Sequence, residues 1–200
     1  MIRAATADDP LRVAVLASGR GSNLVALLER LGPEARIVAV ASNRGDAVAL
    51  VRASEEGIPT AVFPAGADRM ARDRELCAWL VAQDVELVVL AGFMEVLTAE
   101  VVERLPVVNV HPSLLPAFPG LRAWEQALAA GVRETGVTVH HVDTGLDTGP
   151  AIAQEPVPVR PGDTPELLHE RIQAVEHRLL PAVVMRLARD EVPAPAEAAA

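Results

Sequence analysis

The 200-residue sequence contains no lysine: all 18 of its basic residues are arginine. Without a lysine amine, a Schiff-base mechanism and a Walker A phosphate loop are both excluded. One cysteine, Cys77, permits no intrachain disulfide and no cysteine-built zinc site, and its apolar helical setting favours packing over reactivity. No window approaches 18 uninterrupted apolar residues, and the opening MIRAATADDP lacks the apolar core of a signal peptide, so the expectation is a soluble cytoplasmic protein without a membrane partner. His111, His140, His141, His169 and His177 show no H-E-x-x-H or comparable spacing, so no metal is expected. G-x-S-x-G is also missing, which removes the usual nucleophile of α/β-hydrolases. What is present in excess is acid. The formal charge of −9 argues against nucleic acid, whose phosphates are held by clustered basic side chains. Hydrophobic residues make up 50% of the chain, enough for one core, since a domain of this size buries roughly 70% of the surface its unfolded chain exposes.

Strand-like apolar runs alternate with helical patterns: RVAVLA, NLVALLERL, RIVAVAS, AVALVRASEEG, TAVF, RDRELCAWLVAQ and ELVVLAG. Near-continuous apolar strands alternating with amphipathic helices predict an α/β fold, a doubly wound, mostly parallel sheet with helices on both faces. A short helix is expected near Thr98 to Arg104, then a strand at VVNVH, a helix at AWEQALAAG, two strands at GVTVHHV and AIAQEPVPV, and a long helix from Pro165 to Arg189 interrupted at Pro181. One domain over 12–189 is expected, between a frayed tail at 1–11 and an Ala/Pro-rich tail at 190–200. A homodimer is compatible with this pattern, because alternation does not separate an interface strand from a core strand.

The stretch SGRGSN, Ser18 to Asn23, follows the first expected strand and opens a helix, where free backbone N–H groups and the positive helix end can receive a phosphate. The alternative is a tight turn that needs its glycines. A dinucleotide is disfavoured, because Leu24 stands where G-x-G-x-x-G requires its third glycine. In NVHPSLLPAFPG, Asn109 and His111 stand two apart at the end of a strand, hence on one face. An amide and an imidazole converging there suit an oxyanion, although a histidine at a strand end can equally be structural. Pro112, Pro116 and Pro119 stiffen the loop that follows. D-T-G occurs at Asp143 and again at Asp147. Aspartic proteases draw their two carboxylates from separate lobes, so a four-residue separation in an α/β chain does not fit them. One carboxylate set against His111 would instead favour the cationic ring, while Asp143 can also be read as a solvated turn residue.

The motifs SGRGSN, VVLAGFM, NVHPSLLPAFPG, GVTVH, GLDTGPAI and QAVEHRLLP, in this order and spacing over Arg12 to Arg189, resemble those of phosphoribosylglycinamide formyltransferases, folate-dependent enzymes of purine synthesis. The resemblance implies a Rossmann-like formyltransferase fold, with 10-formyltetrahydrofolate as formyl donor and no metal. It places catalysis on Asn109, His111 and Asp147. It places the ribonucleotide on Gly21, Ser22 and Asn23 and on Gln173, Ala174, Val175 and Glu176, with Glu176 on the ribose hydroxyls. Folate contacts fall on Arg69, on Met94, Glu95, Val96 and Leu97, on Asn109, and on Asp143, Thr144, Gly145, Leu146 and Asp147. A cis Leu115–Pro116 bond is implied as well.

Three positions depart from the family pattern. Glu95 stands where a basic residue is usual, and Arg122 and Trp124 replace histidines of some relatives. Arg122 can supply a cation near the site or pair at the surface, and Trp124 can pack its helix or wall the substrate. Other formyltetrahydrofolate enzymes share an Asn, His and Asp core. An enzyme formylating initiator tRNA is expected to add a basic RNA-binding domain, and a deformylase a domain before the core. A catalytically silent nucleotide-binding module is the reading from another class.

Overall fold

The computed structural model describes residues 2–192. In chain order the elements are β1 (Leu11–Leu16), α1 (Ser22–Arg30), β2 (Ala35–Ser42), α2 (Val48–Glu55), β3 (Thr60–Val62), α3 (Arg69–Ala82), β4 (Leu87–Leu90), α4 (Ala99–Val102), β5 (Val107–His111), α5 (Ala123–Ala129), β6 (Glu134–His141), β7 (Ala151–Pro158) and α6 (Pro165–Ala188). The strands form one seven-stranded sheet in the order β3-β2-β1-β4-β5-β6-β7. From β3 to β5 neighbouring strands are parallel, whereas β6 pairs antiparallel with β5 and β7 with β6. The expected α/β class, mostly parallel and covered on both faces, is the one observed.

Alternation along the central strands builds the two sides of the core. Val13 and Val15 of β1 face a layer with Leu24 and Leu27 of α1, Ala49 and Ala53 of α2, and Leu168, Ile172 and Leu180 of α6. Ala14 and Leu16 face the other way, onto Leu76, Cys77 and Leu80 of α3 and Val101 of α4. Each leucine so buried contributes about 1.5–3 kcal/mol. Cys77 is one of these packed side chains, and burial pushes its thiol above the ordinary range.

Two local expectations are corrected. The long last helix is not interrupted at Pro181. It starts on the Thr164 cap, whose hydroxyl accepts from the Leu167 N–H at 3.3 Å, and runs through Pro181 to Ala188. The ring removes one backbone bond, but Leu180, Pro181, Val183 and Val184 are all buried, and packing holds the helix together where propensity alone would break it. The segment before β1 is also fastened rather than frayed. The Ala5 N–H donates to the Ala188 carbonyl at 2.7 Å, and Arg3 joins Asp9 at 2.9 Å and Glu86 at 2.7 Å. Leu11, assigned to that tail from sequence, is a fully buried residue of β1. Of the tail expected at 190–200, residues 193–200 lie outside the described residues. No helix among the described residues is long and apolar enough to cross a membrane.

The sheet order reverses between β1 and β4, and in open α/β sheets the crevice beyond the strand ends at such a switch point is the ligand site. Register places Leu16, Leu90 and Asn109 side by side across β1, β4 and β5. The loops that follow all three strands therefore open on the same edge.

Candidate active site

The glycine loop leaves β1 and turns into α1 at Gly21, which has φ 72. A side chain there would be strained, and its Cβ would lie 2.8 Å from the Cβ of Ala49. The Ala49 N–H donates to the Gly19 carbonyl at 3.1 Å, so the loop is pressed onto α2 and only glycine fits at the contact. No side chain caps α1, so its first N–H groups have no side-chain acceptor. Asn23, buried in the first turn of α1, donates its side-chain N–H to Glu176 of α6 at 2.9 Å, while its Oδ1 has no partner. Burial pushes the Glu176 carboxyl above its ordinary range, and the Asn23 hydrogen bond opposes that shift. Residues 153 positions apart in sequence thus meet at one end of the sheet, and Gln173 and Ala174 lie on the same helix as Glu176.

On β5, Asn109 is half-buried and His111 buried. Asp147, in the loop between β6 and β7, has φ 55, a left-handed conformation that Asp and Asn tolerate better than other side chains. The three sequence-selected residues converge. Asp147 Oδ2 lies 3.4 Å from His111 Nδ1, and Asp147 Oδ1 accepts from the Asn109 amide at 3.4 Å. Both of these contacts are long. The short bonds run outward: His111 Nε2 donates to the Phe118 carbonyl at 2.9 Å, the Gly120 N–H donates to Asp147 Oδ2 at 2.7 Å, and Asn109 Nδ2 lies 3.1 Å from His140 Nε2. Each of the three side chains is therefore anchored by one tight bond and joined to the others loosely, which leaves donors at the centre free to engage an added oxygen.

His140, 1% exposed, is a neighbour of the cluster that sequence reasoning missed. It lies directly opposite Asn109 in the antiparallel β5–β6 register, and directly opposed residues share a face. Its Nδ1 lies 2.8 Å from the His141 carbonyl, an acceptor, so Nδ1 carries the proton. Burial pushes the ring's affinity for a second proton below the ordinary range. Nε2 then accepts from Asn109, which fixes which end of that amide faces Asp147. A signal existed in the 2-residue spacing of Thr138 and His140 on β6, but only the antiparallel register sets them against β5.

The loop after β5 is held as its prolines suggest. Leu115–Pro116 is cis, the Ser113 hydroxyl donates to the Ala117 carbonyl at 2.5 Å, and the Thr138 hydroxyl donates to the Ser113 carbonyl at 2.7 Å while accepting from the Leu115 N–H at 3.0 Å. Phe118 sits at φ 56, which turns its carbonyl onto His111. A bulky residue held in that region costs about 1–3 kcal/mol.

The residues expected to meet the folate divide. Met94 is 57% exposed, and Val96 and Leu146 are exposed as well, so apolar side chains line the mouth. The Glu95 side chain instead turns inward onto Arg72 at 2.8 Å and Asn43 at 3.2 Å. Asp143 serves its own turn, accepting from the Gly145 N–H at 2.9 Å and the Thr148 hydroxyl at 2.7 Å; Thr144 is exposed beside it. Arg69 is exposed at the start of α3 and has no side-chain bond among the described residues. Leu97 is buried in the core, and Val175 is buried on α6. Arg122 is 72% exposed and pairs with Glu125 at 3.6 Å, and Trp124 stacks on His169 with ring centroids 3.9 Å apart.

Residues 11–184 match the family model described as formyl transferase. Over 185 residues the chain is 46% identical to phosphoribosylglycinamide formyltransferase of Mycobacterium tuberculosis, covering 90% of this chain and 86% of that one. It is also 46% identical to the trifunctional purine biosynthetic protein adenosine-3 of Drosophila pseudoobscura pseudoobscura, where 88% of this chain spans only 14% of the relative. The crystal structure of glycinamide ribonucleotide transformylase 1 from Symbiobacterium toebii superimposes with a TM-score of 0.86 at 43% identity, covering 90% of this chain and 89% of that one.

Proposed function

The chain belongs to the formyl transferase family, and from that membership we propose that it moves a formyl group from 10-formyltetrahydrofolate to the amine of phosphoribosylglycinamide. The observation that carries the reading is the Asn109, His111 and Asp147 cluster at the carboxyl end of β5, level with the end of β1 and its glycine loop. Two strand spacings of about 4.8 Å separate β1 from β5, so the loop and the cluster open about 10 Å apart. A phosphorylated acceptor anchored by its phosphate on Gly21 to Asn23 can extend its amine to the cluster. Glu176 receives its ribose hydroxyls. The exposed Met94, Val96 and Leu146 suit a flat, largely apolar ring system, and the backbone of Met94 to Leu97 supplies its polar contacts.

Charge development assigns the roles. When the uncharged amine adds to the formyl carbon, the carbonyl oxygen becomes an oxyanion. The Asn109 amide and the cationic His111 ring supply donors to it, taking up the hydrogen bonds that otherwise reach loosely toward Asp147. Losing one such donor typically lowers turnover by about 10²–10³. Asp147 balances the imidazolium and, through a water, passes the proton lost by the amine to the departing folate nitrogen. The new C–N bond forms on addition, and the old one breaks when the oxyanion collapses and the protonated folate nitrogen leaves, with no protein nucleophile. Holding the two substrates in line can supply roughly 7–11 kcal/mol of the barrier reduction.

Incubation with 10-formyltetrahydrofolate and, in separate arms, phosphoribosylglycinamide, water alone or charged initiator tRNA tests the reading. Loss of the formyl group is expected only with the ribonucleotide. Equal loss in water would make the protein a deformylase, and transfer to tRNA would make it an initiator-tRNA formyltransferase. No loss in any arm would leave a silent binding module.

A further inference from the structure

The loop between β4 and α4 is fastened from beneath by a buried ion cluster. Arg72 of α3 stands between two carboxylates, 2.7 Å from Asp73 and 2.8 Å from Glu95, and also donates to the Val96 carbonyl at 3.4 Å. Asp73, with no exposed surface, accepts from the Thr98 N–H at 2.7 Å. Glu95 is held a second time by the Asn43 amide at 3.2 Å. The Asn43 Oδ1 accepts from the Ser18 hydroxyl at 2.6 Å, and that hydroxyl accepts from the Met94 N–H at 2.8 Å. Loop residues 94, 95, 96 and 98 are all tied to side chains of other elements. The inward turn of Glu95 leaves Met94 and Val96 outward. One guanidinium compensates both acids, and its fork spans a helix and a loop, which a point charge cannot do.

We propose that Arg72 is a positioning residue of the formyl-donor subsite. It fixes the backbone of Met94 to Leu97 against α3, and so sets affinity for the folate without touching it. The inference rests on Met94 to Leu97 being the folate-contacting loop of the proposed transfer. It also accounts for an acid at position 95: Glu95 is a structural counter-ion, and the donor meets the loop's backbone and its apolar side chains.

The test is steady-state kinetics with each substrate varied separately, paired with amide hydrogen exchange of residues 93–98 in the free protein. Arg72→Lys keeps the charge and loses the fork, and should raise the folate KM about threefold, the effect of one weakened hydrogen bond. Arg72→Met leaves two facing carboxylates and should raise it about tenfold or more. In both, the Met94 and Thr98 amides should exchange faster, while kcat at saturation and the ribonucleotide KM stay within about twofold, the signature of lost uniform binding to one substrate. Adding Glu95→Gln to Arg72→Met removes one unpaired acid and should recover much of the folate KM. If Arg72→Met does not fold, Arg72→Lys and the single Glu95→Gln carry the comparison, with the smaller shift expected in each. Faster exchange with an unchanged folate KM overturns the inference and leaves the activity standing, as does an equal rise in both KM values. A wild-type protein that transfers formyl to no acceptor overturns the functional reading and the inference with it.

Discussion

Asp147→Asn separates chemistry from folding more cleanly than any other change in the cluster. Asparagine is nearly isosteric, tolerates the φ of 55 as well as aspartate does, and can still accept the Gly120 N–H now bonded at 2.7 Å. With the Gly120 bond kept, its amide nitrogen takes the Oδ1 position and gives up only the long 3.4 Å contact with the Asn109 amide. Fold stability should therefore change by about 1 kcal/mol or less, the net worth of one lost hydrogen bond. What is lost is the charge facing His111 at 3.4 Å. At an effective dielectric of about 20, that separation corresponds to roughly 5 kcal/mol of stabilisation of the cationic ring. Relaxation and the remaining solvent access leave about half of it, and 2–3 kcal/mol in the transition state is a turnover loss of about 10². The assay is formyl transfer with both substrates saturating, beside a urea melt of the same preparation. A kcat within about threefold of wild type, with both KM values unchanged, would refute the role given to the carboxylate.

Other positions give independent checks. Gly21→Ala combines a left-handed φ with a Cβ 2.8 Å from that of Ala49, so it should cost about 1–3 kcal/mol in a denaturant melt and raise the ribonucleotide KM; unchanged values of both would show that the loop can move off α2. Glu176 has a carboxyl raised by burial, so the stability it contributes is fully present below about pH 4.3 and is lost as pH rises through its folded value. Glu176→Gln should match wild type in urea melts at pH 4 and be the more stable of the two at pH 7, and a stability difference independent of pH would contradict the burial argument. Asp163, brought down to about 2 chiefly by its hydrogen bonds with Arg171, acts with the opposite sign. Its contribution is present above about pH 3.9 and lost as pH falls toward 2, so Arg171→Ala should shift the acid-unfolding midpoint to higher pH.

The parts of the fold that periodicity controls were legible before any coordinates. Each expected strand and helix is present, with ends within a residue or two except at α3, which starts three residues earlier at Arg69, because the central strands are buried on both faces and read as unbroken apolar runs. Periodicity does not report what tertiary packing overrides. Pro181 is a breaker by propensity, yet the helix passes through it because four of the five residues from Leu180 to Val184 are buried. Ala5 is unremarkable in a polar segment until its N–H finds Ala188. At the site, Asn109 and His111 could be paired from their spacing on one strand. The inward turn of Glu95 could not, because it depends on Arg72, which is 23 residues away and exposes none of its logic in sequence.

Two histidines one strand apart illustrate how far position, rather than residue type, assigns chemistry. His111 faces an acceptor at each nitrogen, the Phe118 carbonyl at 2.9 Å and the Asp147 carboxylate at 3.4 Å, and a ring with two protons satisfies both. His140 faces one acceptor, the His141 carbonyl at 2.8 Å, and one donor, the Asn109 amide at 3.1 Å. One proton is right for it, and burial lowers its affinity for a second. In the proposed transfer the first gives a hydrogen bond to developing negative charge, and the second orients the amide that gives the other. Exchanging the two environments would leave neither function. Because both depend on carbonyls presented by the β5 loop and by β6, the rigid segment from Pro112 to Gly120 and the antiparallel strand are as much a part of the chemistry as the side chains. The antiparallel end of an otherwise parallel sheet is what brings His140 opposite Asn109, and a fully parallel continuation would have placed a different register, and a different partner, against that amide.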